Sequence, residues 1–181
     1  MRARGSTSVQ WVLCAVFLVP LAIGIYLSTG TNRRSVHANQ VSHDLASMYA
    51  QGVDFSQAAN RNIALRLLDS RDGKTVLIFT RIRSVSPADC ATAPGAQCTN
   101  NGYPVIVQRI VIGDPELHPS SLGSPPSIDP ANGNVLNWTS DTSARVMDSS
   151  ISLKPGESAY AAETFIAGPD DHTGVYARTL F

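Results

Sequence analysis

The hydrophobic pattern of the chain is uneven, because one long apolar run precedes segments of ordinary amphipathic character. The run covers residues 9–27 and contains one polar side chain, Gln10, and no charge. As a helix it would measure about 28 Å, close to the ~30 Å hydrocarbon core of a bilayer. Trp11 and Tyr26 lie near its two ends, where aromatic rings favour the headgroup region. The pattern predicts a transmembrane helix over residues 6–31. A cleaved secretory signal is the alternative, although no clear small-residue cleavage site follows the run.

Helical periodicity returns after a break expected near Gly30. Apolar positions predict one helix over residues 32–51, ended by Gly52, and a second over residues 56–69 with Ser56 as its N-cap. Four further segments are rich in β-branched and aromatic residues and predict strands at 74–85, 103–113, 157–167 and 175–181.

These elements predict an α+β fold. An N-terminal transmembrane helix is continued by extramembrane helices and packed on a mostly antiparallel sheet of about four strands. Residues 114–137 form a loop rich in Pro, Ser, Gly and Asn, which is a reasonable place for partner contact. A short helix is expected over residues 143–149.

Cysteine usage bears on the compartment. Cys14 lies inside the apolar run, whereas Cys90 and Cys98 lie in a polar loop that contains a Pro-Gly turn. Their spacing does not fit a C-x-x-C metal site, and no histidine stands near in sequence. A disulfide is the favoured interpretation and a pair of free thiols the alternative. Because disulfides persist in oxidising compartments, residues 32–181 are expected outside the cytoplasm.

Charge and candidate chemistry narrow the functional class. The 14 basic and 14 acidic residues balance, so nothing points to a nucleic-acid partner. No nucleophile elbow, H-E-x-x-H or phosphate loop occurs, which argues against an enzyme and against a cofactor. Three arginines lie on predicted strands and are interpreted as solvated outward residues rather than a basic stripe: Arg81, Arg83 and Arg109.

Histidines and acidic residues give no convincing metal site. His37 and His43 are six residues apart on a predicted helix, so they do not share one face and are read as surface residues. Asp170, Asp171 and His172 follow a proline, where a solvated turn is the more usual structure than a metal corner.

The N-terminus carries the most specific motif. A basic leader, MRARG, ends at Gly5 before Ser6, and this candidate cleavage point precedes the apolar run instead of following it. This order resembles type IV pilins and pseudopilins, and more narrowly the TadE-like minor pseudopilins of tight-adherence (Flp) pilus assembly. Their motif is often written R-G-x-x-x-V-E-F-A, and residues 4–11 read RGSTSVQW. The C-terminal stretch from 154, KPGESAYAAETFIAGPD, is also similar to that family.

The resemblance implies a domain organisation and a set of partners. Residues 1–5 would be a prepilin-like leader, 6–31 the transmembrane helix and 32–181 an extracytoplasmic domain. A prepilin peptidase would cut between Gly5 and Ser6. The implied partners are the lipid bilayer, that peptidase, other pilins or pseudopilins and the pilus assembly platform. The implied location is the bacterial inner membrane, with a single pass and a cytoplasmic N-terminus.

Two residues of the run bear on assembly. Counted from Ser6, the fifth position is usually glutamate in the family, where its carboxylate is thought to pair with the terminal amine of a neighbouring subunit; here it is Gln10. Glutamine keeps hydrogen-bonding capacity but loses the charge, so this departure counts against filament entry more than against cleavage. Pro20 should kink the helix, as in pilins, or is simply tolerated in a membrane helix.

The expected function is therefore that of a minor pseudopilin-like membrane protein. It would take part in assembly of a Flp or type IV-like pilus or a related secretion filament. The alternative is an unprocessed, single-pass membrane-anchored protein whose extracytoplasmic domain binds or senses a ligand.

Overall fold

The computed structural model describes most of the chain in two compact units, Met1–Val36 and His37–Phe181. The described residues are 6–68, 74–92, 97–125, 127–168 and 174–181. Within the first helix, side chains are described at 15–25 and from residue 32 onward.

One helix replaces the first two that the sequence predicts. Helix α1 is Ser6–Ala50 and passes through Gly30 without an interruption. Its end is a Schellman motif, in which Val53 N–H donates to Met48 O at 3.0 Å and Gly52 N–H donates to Tyr49 O at 3.0 Å. Gly52 has a φ of 93°, in the left-handed region that favours glycine. Gly52 therefore ends the helix, as its position predicted.

The fold class predicted from the sequence is wrong in its transmembrane helix. No helix within the described part of the chain has both the length and the apolar content needed to cross a bilayer.

Four strands form one antiparallel sheet with the order β2-β1-β3-β4. β-branched and aromatic content predicted a strand at each of these places, and the four-stranded antiparallel sheet is confirmed. A register shift between Arg81 and Ile82 interrupts the pairing of β1 with β2. The bounds are β1 Thr75–Ser84, β2 Pro104–Gly113, β3 Ser158–Ala167 and β4 Gly174–Leu180.

The shorter helices differ from the prediction in detail. Helix α2 is Ala58–Leu67, and its N-cap residue is Gln57 rather than Ser56, with no side-chain capping bond. Helix α3, Pro87–Thr92, lies where the sequence predicted only loop. A 3₁₀ turn at Thr142–Ala144 stands in place of the helix expected over 143–149.

The two faces of the sheet are covered by different structures. On one face, the C-terminal part of α1 and α2 pack on the sheet. Tyr49 of α1 and Phe55 of the segment between the helices contact Phe79 of β1, and the rings of Phe55 and Phe79 stack with centroids 4.1 Å apart. On the other face, the long connection between β2 and β3 contributes Leu122 and Val135 to a second core cluster. The region predicted as a polar loop is therefore a covering layer of the sheet.

Candidate functional site

The predicted processing motif is only partly described. Gly5 lies outside the described residues, and Ser6 and Gln10 belong to α1 without described side chains. Pro20 lies inside α1 and is exposed. The cleavage at Gly5, the role of Gln10 and a kink at Pro20 therefore stay predictions.

Exposed apolar side chains form the most conspicuous surface of α1, which we call the apolar segment (residues 16–23). Six large apolar residues occur within these eight positions, so they are spread around the whole helix rather than along one stripe. A helix that is apolar on all sides is normally buried by other structure. Their exposed fractions are Val16 60%, Phe17 73%, Leu18 61%, Val19 56%, Leu21 61% and Ile23 55%.

A disulfide joins Cys90 and Cys98, whose Cα atoms are 5.4 Å apart. Cys90 belongs to α3, whose start is a reciprocal capping box. Ser86 N–H donates to Asp89 Oδ2 at 3.0 Å, and Asp89 N–H donates to Ser86 Oγ at 3.3 Å. Burial would raise the pKa of Asp89, but hydrogen bonds from Arg83 and Ser86 outweigh it and hold that pKa below its ordinary value. The disulfide and the cap therefore fix the same short segment.

A buried carboxylate, Glu163 of β3, organises the covered face of the sheet near β4. It is 1% exposed and accepts hydrogen bonds from Ser121 N–H at 2.9 Å, Ser121 Oγ–H at 2.7 Å and Tyr176 Oη–H at 2.6 Å. Ser120 Oγ–H donates to the second carboxylate oxygen. We call Ser120, Ser121, Glu163 and Tyr176 the Glu163 cluster. It ties the long connection to two strands.

The chemistry open to this cluster follows from its hydrogen bonds. Burial would raise the pKa of Glu163, yet hydrogen bonds from Ser120, Tyr176 and Ser121 dominate and leave that pKa below its ordinary value. Burial, with the bond to the carboxylate, raises the pKa of Tyr176 to about 12. A carboxylate that already accepts bonds from several donors is a poor general base, so the cluster is suited to holding the connection in place.

Two neighbours extend this cluster toward the surface. The ring of His118 stacks on that of Tyr176 with centroids 4.7 Å apart. Arg178 of β4 donates to Ser121 Oγ at 3.1 Å and pairs with Asp148 at 2.7 Å. Serine, histidine and acidic side chains thus meet here, but His118 stacks on a ring and makes no described hydrogen bond to either serine. The hydroxyl groups of Ser120 and Ser121 donate to Glu163 instead.

Arg109 departs from its predicted position. Its side chain was expected to be solvated, but it is 6% exposed and donates from Nη1 to Gly123 O. Its Nε and Nη2 atoms have no hydrogen-bond partner among the described residues. Burial lowers the pKa of Arg109 to about 10, and the negative charge of Glu163 partly offsets this. Arg83 also differs from the prediction, since it pairs with Asp89 at 3.0 Å.

Metal-binding residues do not converge within the described ranges, where no group of three or more His, Cys, Asp or Glu side chains is placed to hold an ion. His43 lies 3.7 Å from Asp44 and packs edge-on against Phe181. The predicted turn at 170–172 lies outside the described residues.

Sequence reasoning missed Glu163 as an organising residue. Its signal was a lone acid in the apolar strand segment AYAAETFIA. No family model, curated protein or solved structure matches this chain.

Proposed function

We propose that the chain is a TadE-like minor pseudopilin that acts in assembly of a Flp-type pilus or a related secretion filament. The observation that carries the proposal is the apolar segment, which is exposed on all sides of α1. The motif at Gly5 and the antiparallel sheet packed on the C-terminal part of α1 support it. The inner-membrane location stays a prediction.

Burial of the apolar segment would supply the driving force for assembly. Full burial of one large aliphatic or aromatic side chain contributes roughly 1.5–3 kcal/mol. Six such residues are each more than half exposed, so their burial would stabilise an assembly by several kcal/mol or more. This gain would offset the entropy that the partners lose on association. Helices of other pilins or pseudopilins are the proposed cover, because an apolar helix packs well against others of the same kind.

Processing tests the first half of the proposal. In cells with an active prepilin peptidase, mass spectrometry of the purified protein should find Ser6 as the first residue. The variant Gly5→Ala should keep its leader, because the peptidase needs close approach to a residue without a Cβ. An intact MRARG leader on the unaltered protein would contradict the proposal.

Assembly tests the second half. The variant Phe17→Asp places a charge in the apolar segment and should abolish co-purification with the pilins of cross-linked cells. Val36→Asp is the matched control, because Val36 is also exposed on α1, at 57%, and lies outside the apolar segment. Equal co-purification of both variants would show that the apolar segment is not the assembly surface.

A further inference from the structure

Strand β4 is an edge of the sheet, and its outer side makes no hydrogen bond to a described residue. The opposite edge differs, because β2 is paired along its outer side with the long connection, through Arg109 N–H to Gly133 O at 2.7 Å and Val135 N–H to Val107 O at 2.9 Å. The sheet is therefore closed at β2 and open at β4.

The register of β3 with β4 shows which backbone groups point outward. Tyr160 and Phe181 exchange two hydrogen bonds of 2.8 Å. We call two opposite residues that exchange both backbone hydrogen bonds a narrow pair, and two opposite residues that exchange none a wide pair. Alternation then directs the N–H and C=O groups of residues 175, 177 and 179 toward β3. Those of Gly174, Tyr176, Arg178 and Leu180 point away from the sheet and are available to another strand.

The side chains do nothing to protect this edge. Natural sheets block open edges with proline, lysine, bulges or very short strands. Strand β4 has seven residues, GVYARTL, with an unbroken register to β3 and neither proline nor lysine. Its one charge, Arg178, is already paired with Asp148. Tyr176 and Leu180 remain 37% and 46% exposed.

We propose that β4 pairs antiparallel with β4 of a second copy of this chain, which joins the two sheets into one continuous sheet. The pairing is centred on Ala177, the midpoint of the strand. Narrow pairs then form between Tyr176 and Arg178 of the second copy, and between Gly174 and Leu180 of the second copy, and each pair exchanges two backbone hydrogen bonds.

Self-complementarity favours a second copy as the occupant. Centring on Ala177 uses every outward-facing residue of β4 and sets each arginine opposite a tyrosine rather than opposite a like charge. Centring on Arg178 would oppose two guanidinium groups, and centring on Tyr176 would leave Leu180 outside the pairing. If the two-fold axis lay between two residues, each residue with outward N–H and C=O groups would oppose a residue whose groups point toward its own sheet, so the hydrogen bonds could not form. The same strand therefore supplies both halves of a two-fold interface.

Cysteine cross-linking tests the register directly. In the Ala177-centred pairing Val175 opposes Thr179 of the second copy in a wide pair, with Cα atoms about 4.5 Å apart, within disulfide range. In the full chain carrying Cys14→Ser and dispersed in mild detergent, the double variant Val175→Cys/Thr179→Cys should oxidise to a covalent dimer. Either single variant should stay monomeric on a non-reducing gel, because each cysteine then faces no other.

Oligomeric state gives the second test. By sedimentation velocity, Leu180→Lys should raise the dimer dissociation constant by about tenfold, since lysine is unfavourable at a pairing edge. Leu136→Lys, at a loop residue 51% exposed, should leave it unchanged. Monomeric unaltered protein, or a double-cysteine variant that folds but does not cross-link, would overturn the proposal. Cross-linking by a single-cysteine variant would overturn the register.

This inference goes beyond the proposed function and does not rest on it. Processing at Gly5 and the effect of Phe17→Asp report on α1, whereas the cross-link reports on β4. Binding of an unrelated extended peptide to β4, with the protein itself monomeric, would also count against the second copy.

Discussion

At the scale of single residues, the face of the sheet under the long connection contains two buried charges, Glu163 and Arg109, which differ in how many hydrogen bonds they make. Glu163 accepts bonds from Ser120, Ser121 and Tyr176, whereas two donor atoms of Arg109 have no partner within the described part of the chain. A buried charge is costly unless hydrogen bonds replace its lost hydration. Glu163 therefore stabilises the layer above it, and Arg109 contributes mainly through its contact with Gly123 and the charge of Glu163.

We expect Glu163→Gln to destabilise the fold at pH 7 by about 2 kcal/mol, because a charge-assisted network is replaced and the amide N–H₂ then faces donors. The folded pKa of Glu163 is lowered from 4.5, so its contribution is present above that value and is lost as the pH falls through the folded pKa. Chemical denaturation at pH 7 and pH 3 should show the difference between the variant and the unaltered protein shrink in acid.

Glu116→Gln is the control for this measurement, since Glu116 is an exposed acid of the same connection. Its stability should match the unaltered protein at both pH values. A Glu163→Gln deficit of the same size at pH 3 and pH 7 would show that shape, and not charge, makes the contribution.

At the scale of elements, local sequence predicted the strands far better than it predicted their surroundings. β-branched and aromatic content predicted each strand of the sheet, because this content is a property of neighbouring residues. The environments of Arg109 and Glu163 depend on Ser121 and Gly123, which lie in a connection that looked like an open loop. Helix α3 had a readable signal in Ser86-Pro87-Ala88-Asp89, a capping box with proline at its first position.

The end of β2 shows how closely backbone can approach within this sheet. Gly113 has a φ of 94°, and an added Cβ would lie 2.1 Å from Thr75 O. Backbone cannot move aside as a side-chain tip can, so Gly113→Ala should shift the β1–β2 pairing at that end. We expect a loss of about 2 kcal/mol or more in the free energy of unfolding, measured by thermal denaturation. Gly102→Ala is the control, because its φ is also positive at 79° but its Cβ would meet no atom within 4 Å. Equal losses for the two variants would assign the effect to φ alone.

At the scale of the whole molecule, the sequence anticipated the α+β class and not the way its parts are covered. The sheet has helices on one face and an irregular connection on the other, so much of the second core cluster comes from a region of low apolar content. The predicted membrane-spanning helix is wrong, because no helix within the described residues is long and apolar enough to cross a bilayer. The large side chains of the apolar segment of α1 are exposed, and the proposed assembly would cover them.

The disulfide between Cys90 and Cys98 provides a test of the compartment in which this part of the protein folds. Cys90 and Cys98 both pack against the second core cluster, and the bond closes a loop with a sequence separation of 8. Closing a loop of this size stabilises a fold by about 2–3 kcal/mol in the chain-entropy model. Cys90→Ala/Cys98→Ala should therefore lower the melting temperature, and reductant should lower that of the unaltered protein by a similar amount.

Reductant should leave the double-alanine variant unchanged, which separates loss of the disulfide from any other action of the reagent. The same bond should be found closed, by non-reducing peptide mapping, in protein purified from cells under thiol-blocking conditions. Disulfides of this kind persist only where the surroundings are oxidising, so a closed bond would support export of the sheet-bearing unit from the cytoplasm. Two freely alkylated thiols would contradict that export, and with it the part of the proposed function that requires the unit outside the cytoplasm.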